Sequence, residues 1–357
     1  MPEATPRRNG YSEMASTAPQ NGVGGTTKAH TSNDRASTNG CTSNGHASNG
    51  HCEESRAASD TSSLEWEDFE VHIGWGTMRG KMRGSGPELV LGVHGWLDNA
   101  NTFDLLCHHL PQNTRFLSLD LPGHGRSDHF PPGFFYDPRG YMAAIKKTMT
   151  AIGWQRFIYL GHSMGAVVGI MYTSVFPEDV KAFISIDIIK PWSLDPQRQP
   201  EALKKYVLQY FDNEHKASKQ PLVYGEEELV KKTMEGSRSL DERGARILLQ
   251  RGARRAEGGS GLVLTRDLRV KTFFIGFISM EEWIEMAKAI TCPSLIVRAK
   301  DGHAYEPEEK YKVMLDAFSQ SCPDFQYHEV DGKHHVHLTN VDGVANSITP
   351  FFHKLKD

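Results

Sequence analysis

Cysteine is scarce and unpatterned in this chain. Five occur in 357 residues, at positions 41, 52, 107, 292 and 322, an odd number with wide spacings and no C-x-x-C pair. That argues against a disulfide framework and predicts reduced thiols in an intracellular protein. Long hydrophobic runs are missing too, since no stretch approaches the roughly 18 apolar residues of a membrane span. The opening "MPEATPRRNG" has no apolar h-region, so no secretory signal is expected there. No Asn-x-Ser/Thr sequon occurs, and the end "HKLKD" is neither a peroxisomal nor an endoplasmic-reticulum signal, so a cytoplasmic location is expected. An excess of one charge is also lacking. Lys and Arg total 40 against 44 Asp and Glu, a net charge of −4, which removes the global footprint of a nucleic-acid or anionic-membrane binder.

What the chain does have is enough apolar material for a sizeable core, 38% hydrophobic with 10% aromatic. The material is unevenly spread. Residues 1–62 are Gly, Ser, Thr and Asn with almost nothing to bury, and are predicted to be a disordered tether. His46, His51 and Cys52 in that tail match no zinc spacing. From residue 65 the pattern alternates. "FEVHIGWG" and "TMRGKMRG" read as an antiparallel edge hairpin, and "ELVLGVHG", "RFLSLDLPGHG", "RFIYLGHS" and "VKAFISIDII" as strands buried on both faces. "FDLLCHHL", "GYMAAIKKTMTAIGW" and "MGAVVGIMYTSV" read as helices between them. This rhythm predicts right-handed crossovers and a mostly parallel sheet.

After Lys190 only helical signals follow for roughly a hundred residues, until strand character returns at "CPSLIVRAKDG" and "FQYHEVDGK". The organisation expected is an α/β core over 63–190 and 291–357, interrupted by a helical cap over 191–290. The basic helix near Arg246 to Arg255 reads as a solvated face. The apolar "FFIGFISM" at 273–280 suggests a site for a greasy acyl or alcohol group.

One stretch carries chemistry. Gly161-His162-Ser163-Met164-Gly165 lies between a buried strand and a small-residue helix, which fits the G-x-S-x-G nucleophile elbow. A serine at the tip of so sharp a turn projects its Oγ above the sheet, and the helix that follows aims its N-terminal N–H groups at the reaction centre. The hydroxyl needs a base. Histidines cluster in "VDGKHHVHL", and His334, two residues past Gly332, can swing its ring toward Ser163, while His335 and His337 point elsewhere. A zinc reading of the three fails on spacing. Two acids end strands downstream of the serine, Asp301 after "SLIVRA" and Asp187 in "FISIDII". "GVHGWLDN" ends a strand in the place of an oxyanion loop, so the backbone N–H groups of Trp96 and Met164 are the expected donors, with the Trp96 ring walling the pocket. Asp98 and Asp120 read as loop-fixing residues.

In "VHGWLDNANTFDLL", "LSLDLPGHGRSDH", "YLGHSMGAVVG", "CPSLIVRAKDG" and "VDGKHHVHLTN", the chain resembles the α/β-hydrolases of the serine hydrolase-like group, the insect kraken type, from about residue 65 to its end. The resemblance implies an α/β-hydrolase fold with a helical cap inserted after strand 6, Ser163 as nucleophile and His334 as base. One departure stands out. The wider fold family has a glycine after the acid-bearing strand and the acid three residues on, whereas here Ala299 holds the glycine's place and Asp301 comes one residue early. Asp301 is the favoured acid, with Asp187 and then Glu306 as alternatives. The expected function is hydrolysis of carboxylic ester or related acyl bonds in small, apolar substrates, through a Ser-His-Asp triad and an acyl-enzyme. Serine at 163 disfavours dehalogenase and epoxide hydrolase chemistry, which need a carboxylate there. No cofactor or metal is implied. The alternative is a binding protein that kept the fold and lost turnover.

Overall fold

A computed structural model describes residues 65–193, 195–272 and 278–355. The tail over 1–62, with Cys41, His46, His51 and Cys52, and residues 273–277 of the "FFIGFISM" stretch lie outside the described residues. In chain order the first strands are β1 (Glu67–His72), β2 (Thr77–Arg83), β3 (Glu88–Val93), β4 (Thr114–Asp120), β5 (Phe157–His162) and β6 (Val180–Ile186). Helix α1 (Pro138–Ile152) precedes β5, and α2 (Met164–Val175) joins β5 to β6. Helices α3 (Gln199–Ala217), α4 (Glu226–Gly236) and α5 (Glu242–Gly252) follow, then a hairpin of β7 (Ala253–Arg255) and β8 (Leu262–Leu264), and α6 (Met280–Lys288). The chain finishes with β9 (Ser294–Asp301), α7 (Glu308–Ser321), β10 (Phe325–Lys333), α8 (Val336–Thr339) and α9 (Val341–Lys354).

Eight strands form one sheet in the order β1-β2-β4-β3-β5-β6-β9-β10. Strand β2 pairs antiparallel with β1 and β4, and every other neighbouring pair is parallel. The continuous apolar runs have the burial that a sheet covered on both faces requires. In β5, Phe157 and Tyr159 point into the cluster that α1, α2, α6 and α7 cover, while Ile158 and Leu160 point into the one beneath α9. This is the period-two alternation of a strand with apolar partners on each side. Helix α1 shows how local sequence sets an element's ends. Asp137 accepts hydrogen bonds from the Arg139 and Gly140 N–H groups, Pro138 opens the first turn, and Gly153 closes the last at φ +71°.

Between β6 and β9 the structure differs from the all-helical reading. The β7–β8 hairpin, three residues on each side, was too short and too rich in arginine to register as strand. Helix α6 packs against α2 and α7, with Trp283 fully buried in the main core. Nor is the basic segment simply a solvated face. Arg246 pairs at the surface with Glu227 and Glu242, but Arg251 is buried. Its Nε donates to Asp120 Oδ2 at 2.5 Å and its Nη2 to the Gly80 carbonyl at 2.8 Å. Asp120, wholly buried at the end of β4, also accepts from the Ala100 and Arg126 N–H groups, so it does fix its loop. It also clamps α5 to the sheet.

Removing one partner of such a buried pair leaves an uncompensated charge. Arg251→Met is expected to cost about 3–5 kcal/mol of stability, read by urea denaturation. A loss below about 1 kcal/mol would show that the clamp is not the anchor described.

Candidate active site

The site begins with clearance. Ser163 has φ +51° and ψ −118°, a conformation that side chains other than glycine rarely adopt, and it separates the last residue of β5 from the first of α2. A Cβ at Gly161 would lie 2.6 Å from the Ala166 nitrogen, and one at Gly165 would lie 2.0 Å from the Val93 carbonyl oxygen. Only glycine lets the strand, the turn and the helix approach so closely, and the approach seats the start of α2 against the end of β3. The Ser163 N–H donates to the Ile186 carbonyl at 3.2 Å, which ties the turn to the end of β6.

The next residue after Ile186 is Asp187, fully buried and also at positive φ, +58°. Its N–H donates to the Val297 carbonyl and its Oδ1 accepts from the Ala299 N–H at 2.9 Å. Oδ2 faces His334 Nδ1 at 2.6 Å, and His334 Nε2 lies 2.8 Å from Ser163 Oγ. The structure therefore brings Ser163, His334 and Asp187 into one hydrogen-bonded chain. It does not bring in Asp301. That residue is exposed at the last position of β9, paired in register with Lys333, and makes no hydrogen bond to His334. Asp301 is still part of β9, held in register with Lys333 and facing solvent, while Asp187 lies just past the end of β6 with its carboxylate on His334. The β9 segment contributes in another way. Ala299 supplies a backbone donor, and Gly302 leaves the space that Asp187 fills, since a Cβ there would meet Asp187 Oδ1 at 2.3 Å. Glu306 is engaged elsewhere, in a buried ion pair with Lys190 and hydrogen bonds from Ser193 and Lys310.

The expected oxyanion donors lie on the two elements that Gly165 holds together. Among the described residues, the Trp96 and Met164 backbone N–H groups have no acceptor. The Trp96 ring lines the cavity, and its Nε1 donates to the Val270 carbonyl at 2.7 Å. The loop after Trp96 is pinned from the other side as well, because Asn99 and Asn101 donate to the Leu248 and Ile247 carbonyls.

His335 and His337 were expected to point away, yet both join the site's wall or its support. His337 Nε2 is 2.8 Å from Thr102 Oγ1. His335 lines the cavity, with Nε2 3.2 Å from Asp98 Oδ1 and Nδ1 2.7 Å from Ser239 Oγ. Sequence reasoning missed this Asp98–His335–Ser239 chain because its members come from three distant segments with no shared motif. Among the described residues, Asp98, His162 and His335 each offer a ligand atom within 4.8 Å of the others', so this trio could hold a metal ion. It is a different set from the three neighbouring histidines weighed on spacing.

Burial governs the titration here. It pushes the His334 imidazole down to about 4, only partly opposed by the hydrogen bond to Asp187, so the ring is neutral at physiological pH. His94, His124, His162 and His337 are lowered by burial in the same way. Burial would raise the Asp98 carboxyl, but His335 and His162 outweigh it and hold the group well below the usual carboxylate range. Ser163, His334 and His335 open into a cavity of about 810 Å³, whose far wall comes from α4, α5 and the loop after β8.

A family model described as the alpha/beta hydrolase fold matches residues 88–341. The chain is 34% identical to a "probable serine hydrolase" of Drosophila melanogaster over 293 residues, covering 80% of this chain and 87% of that protein. It is 33% identical to "serine hydrolase-like protein 2" of Homo sapiens over 297 residues, covering 80% and 93%. Among solved structures it is similar to a hypothetical protein of Pseudomonas aeruginosa PAO1, with a TM-score of 0.71 and 27% identity over 80% of this chain and 99% of that one.

The depressed histidines also set a pH dependence of stability. An unfolded histidine takes up its proton near pH 6.5 and these folded ones lower, so below about 6.5 the unfolded state binds more protons. Their contribution is complete above that pH and is lost as pH falls through it. The melting temperature is therefore expected to drop steadily from about pH 7 to about pH 5, and a flat or rising profile would contradict the neutral cluster.

Proposed function

The chain belongs to the α/β-hydrolase fold family, among its serine hydrolase-like proteins, and on that premise we propose that it hydrolyses carboxylic esters or related acyl bonds through Ser163, His334 and Asp187. The observation that carries the reading is the unbroken chain from Asp187 Oδ2 through His334 to Ser163 Oγ, at 2.6 and 2.8 Å, opening into a cavity of about 810 Å³. Ser163 Oγ attacks the carbonyl as its proton passes to His334 Nε2. Asp187 holds the ring in the tautomer that leaves Nε2 free to accept, and it stabilises the imidazolium that forms. The Trp96 and Met164 N–H groups, otherwise without acceptors, stabilise the oxyanion. The bond to the leaving alcohol breaks as the imidazolium returns the proton to it, and water then repeats the sequence on the acyl-enzyme to release the acid. Asp187 takes the role first given to Asp301.

Ser163→Ala is expected to lower turnover of a 4-nitrophenyl ester on the order of a millionfold. A fluorophosphonate probe should label the wild type at Ser163; folded protein that resists it would be a binding module with the hydrolase fold. Asp187→Asn should cost about 10⁴ in kcat, because the tautomer is then wrong. Asp301→Asn should stay within about twofold of the wild type, as expected of an exposed surface substitution, and a reversal of these two results would return the acid's role to Asp301. Since the base must be neutral, kcat/KM should hold down to about pH 5 and fall near the depressed His334 value. An acid limb centred at about 6.5, the ordinary histidine value, would contradict this environment.

A further inference from the structure

Three arginines of the segment between β6 and β9 approach the body of the fold, and they are not treated alike. Arg251 is neutralised by Asp120, and Arg269 by Asp267 at 2.7 Å with further bonds to the Phe130 and Pro131 carbonyls. Arg266 lines the same cavity as Ser163, and its Nε is buried without a hydrogen-bond partner. Among the described residues no carboxylate pairs with it. Asp98, the acid whose charge reaches Arg266, is engaged by His335, Thr102 and His162. A guanidinium cannot shed its proton at physiological pH, and leaving the buried Nε–H unmade is costly, so an acceptor brought into the cavity by a ligand would relieve it. The rest of the lining points the same way. Lys232, Arg238 and Lys271 join Arg266 on the cavity wall, where the acids are Asp98, already engaged, and Glu235. Val167, Ile188, Leu229 and Leu248 contribute apolar surface to the same lining.

We propose that the cavity is built for an amphipathic anion: Arg266 binds a carboxylate or phosphate group that the substrate carries away from its scissile carbonyl, and the apolar wall takes the remainder. This deepens the hydrolase reading and rests on it for the position of the reacting bond. A planar fork of N–H donors matches either oxyanion bidentately, and the cations of the lining raise the local concentration of anions. The arrangement also revises the expectation of a purely apolar substrate.

The test compares 4-nitrophenyl hemiglutarate, which carries a free carboxylate, with its neutral methyl ester. Wild-type kcat/KM is expected to favour the anion by about tenfold or more, and the ratio should collapse toward one in Arg266→Gln. Arg266→Lys, which keeps the charge but not the fork, should fall between. A wild-type preference for the neutral ester, or a ratio that Arg266→Gln leaves unchanged, overturns the proposal. If neither ester is cleaved, the ester reading fails and calorimetry decides the anion site by itself. Glutarate and butyl phosphate are titrated into Ser163→Ala and into Ser163→Ala/Arg266→Gln. Saturable binding that the second substitution abolishes supports the site and shows which oxyanion it prefers, whereas no binding, or equal binding in both proteins, overturns it. The melting temperature of Arg266→Gln should equal or exceed that of the wild type, because an unpaired charge is being removed; a marked fall would mean that Arg266 is structural and would also overturn it.

Discussion

The backbone of Ser163, bent to φ +51° in the space that Gly161 and Gly165 leave open, is the constraint from which the rest of the site follows. With no side chain at 165, the first turn of α2 reaches the Val93 and His94 carbonyls, so the helix start and the loop after β3 become neighbours. The same turn donates its serine N–H to Ile186, and the residue after Ile186 is the carboxylate that orients His334. Ser163, the loop after β3 and Asp187 are thus registered against one another by main-chain contacts on three adjacent strands, β3, β5 and β6. The strain is borne by helix α2, which is buried from Met164 to Thr173 and cannot relax outward without opening the core.

Electrostatically the site is a group of imidazoles around two buried carboxylates. The His162 ring centroid is 4.9 Å from that of His334, 5.0 Å from His335 and 4.1 Å from His337. Rings so close would repel strongly if several were protonated, and removal from water disfavours protonation of His162, His334 and His337 alike. The result is a base held neutral and ready to accept a proton. His334 is the one ring hydrogen-bonded to Asp187, while Asp98 is shared by His335 and His162.

What the sequence disclosed follows the distance over which each feature is specified. The elbow, the strand before it and the small-residue helix after it are local, so Ser163 could be read from a ten-residue window. The parallel sheet was legible for the same reason, since each buried strand announces itself as an apolar run. The carboxylate partner of His334 was not legible. Choosing between Asp187 and Asp301 needs the folded partners of His334, and the places of Ala299 and Gly302 are explained only when both are seen to accommodate Asp187. The β7–β8 hairpin escaped because three-residue strands carry no measurable period. Arg266 is the extreme case, since its significance is the lack of a partner, which no arrangement of letters displays.

The segment between β6 and β9 consequently does two separable jobs. Arg251 on Asp120, Leu248 and Ile247 on the two loop asparagines, and Val270 on Trp96 fasten it to the body of the fold through fully used polar groups. With those anchors carrying the attachment, one cation can be left unneutralised at the cavity wall without the segment coming loose. On the proposed reading, bond cleavage depends on residues of the sheet and recognition of charge on residues of the insertion. A change of substrate charge would therefore require rebuilding only the insertion, with Ser163, His334 and Asp187 left as they are.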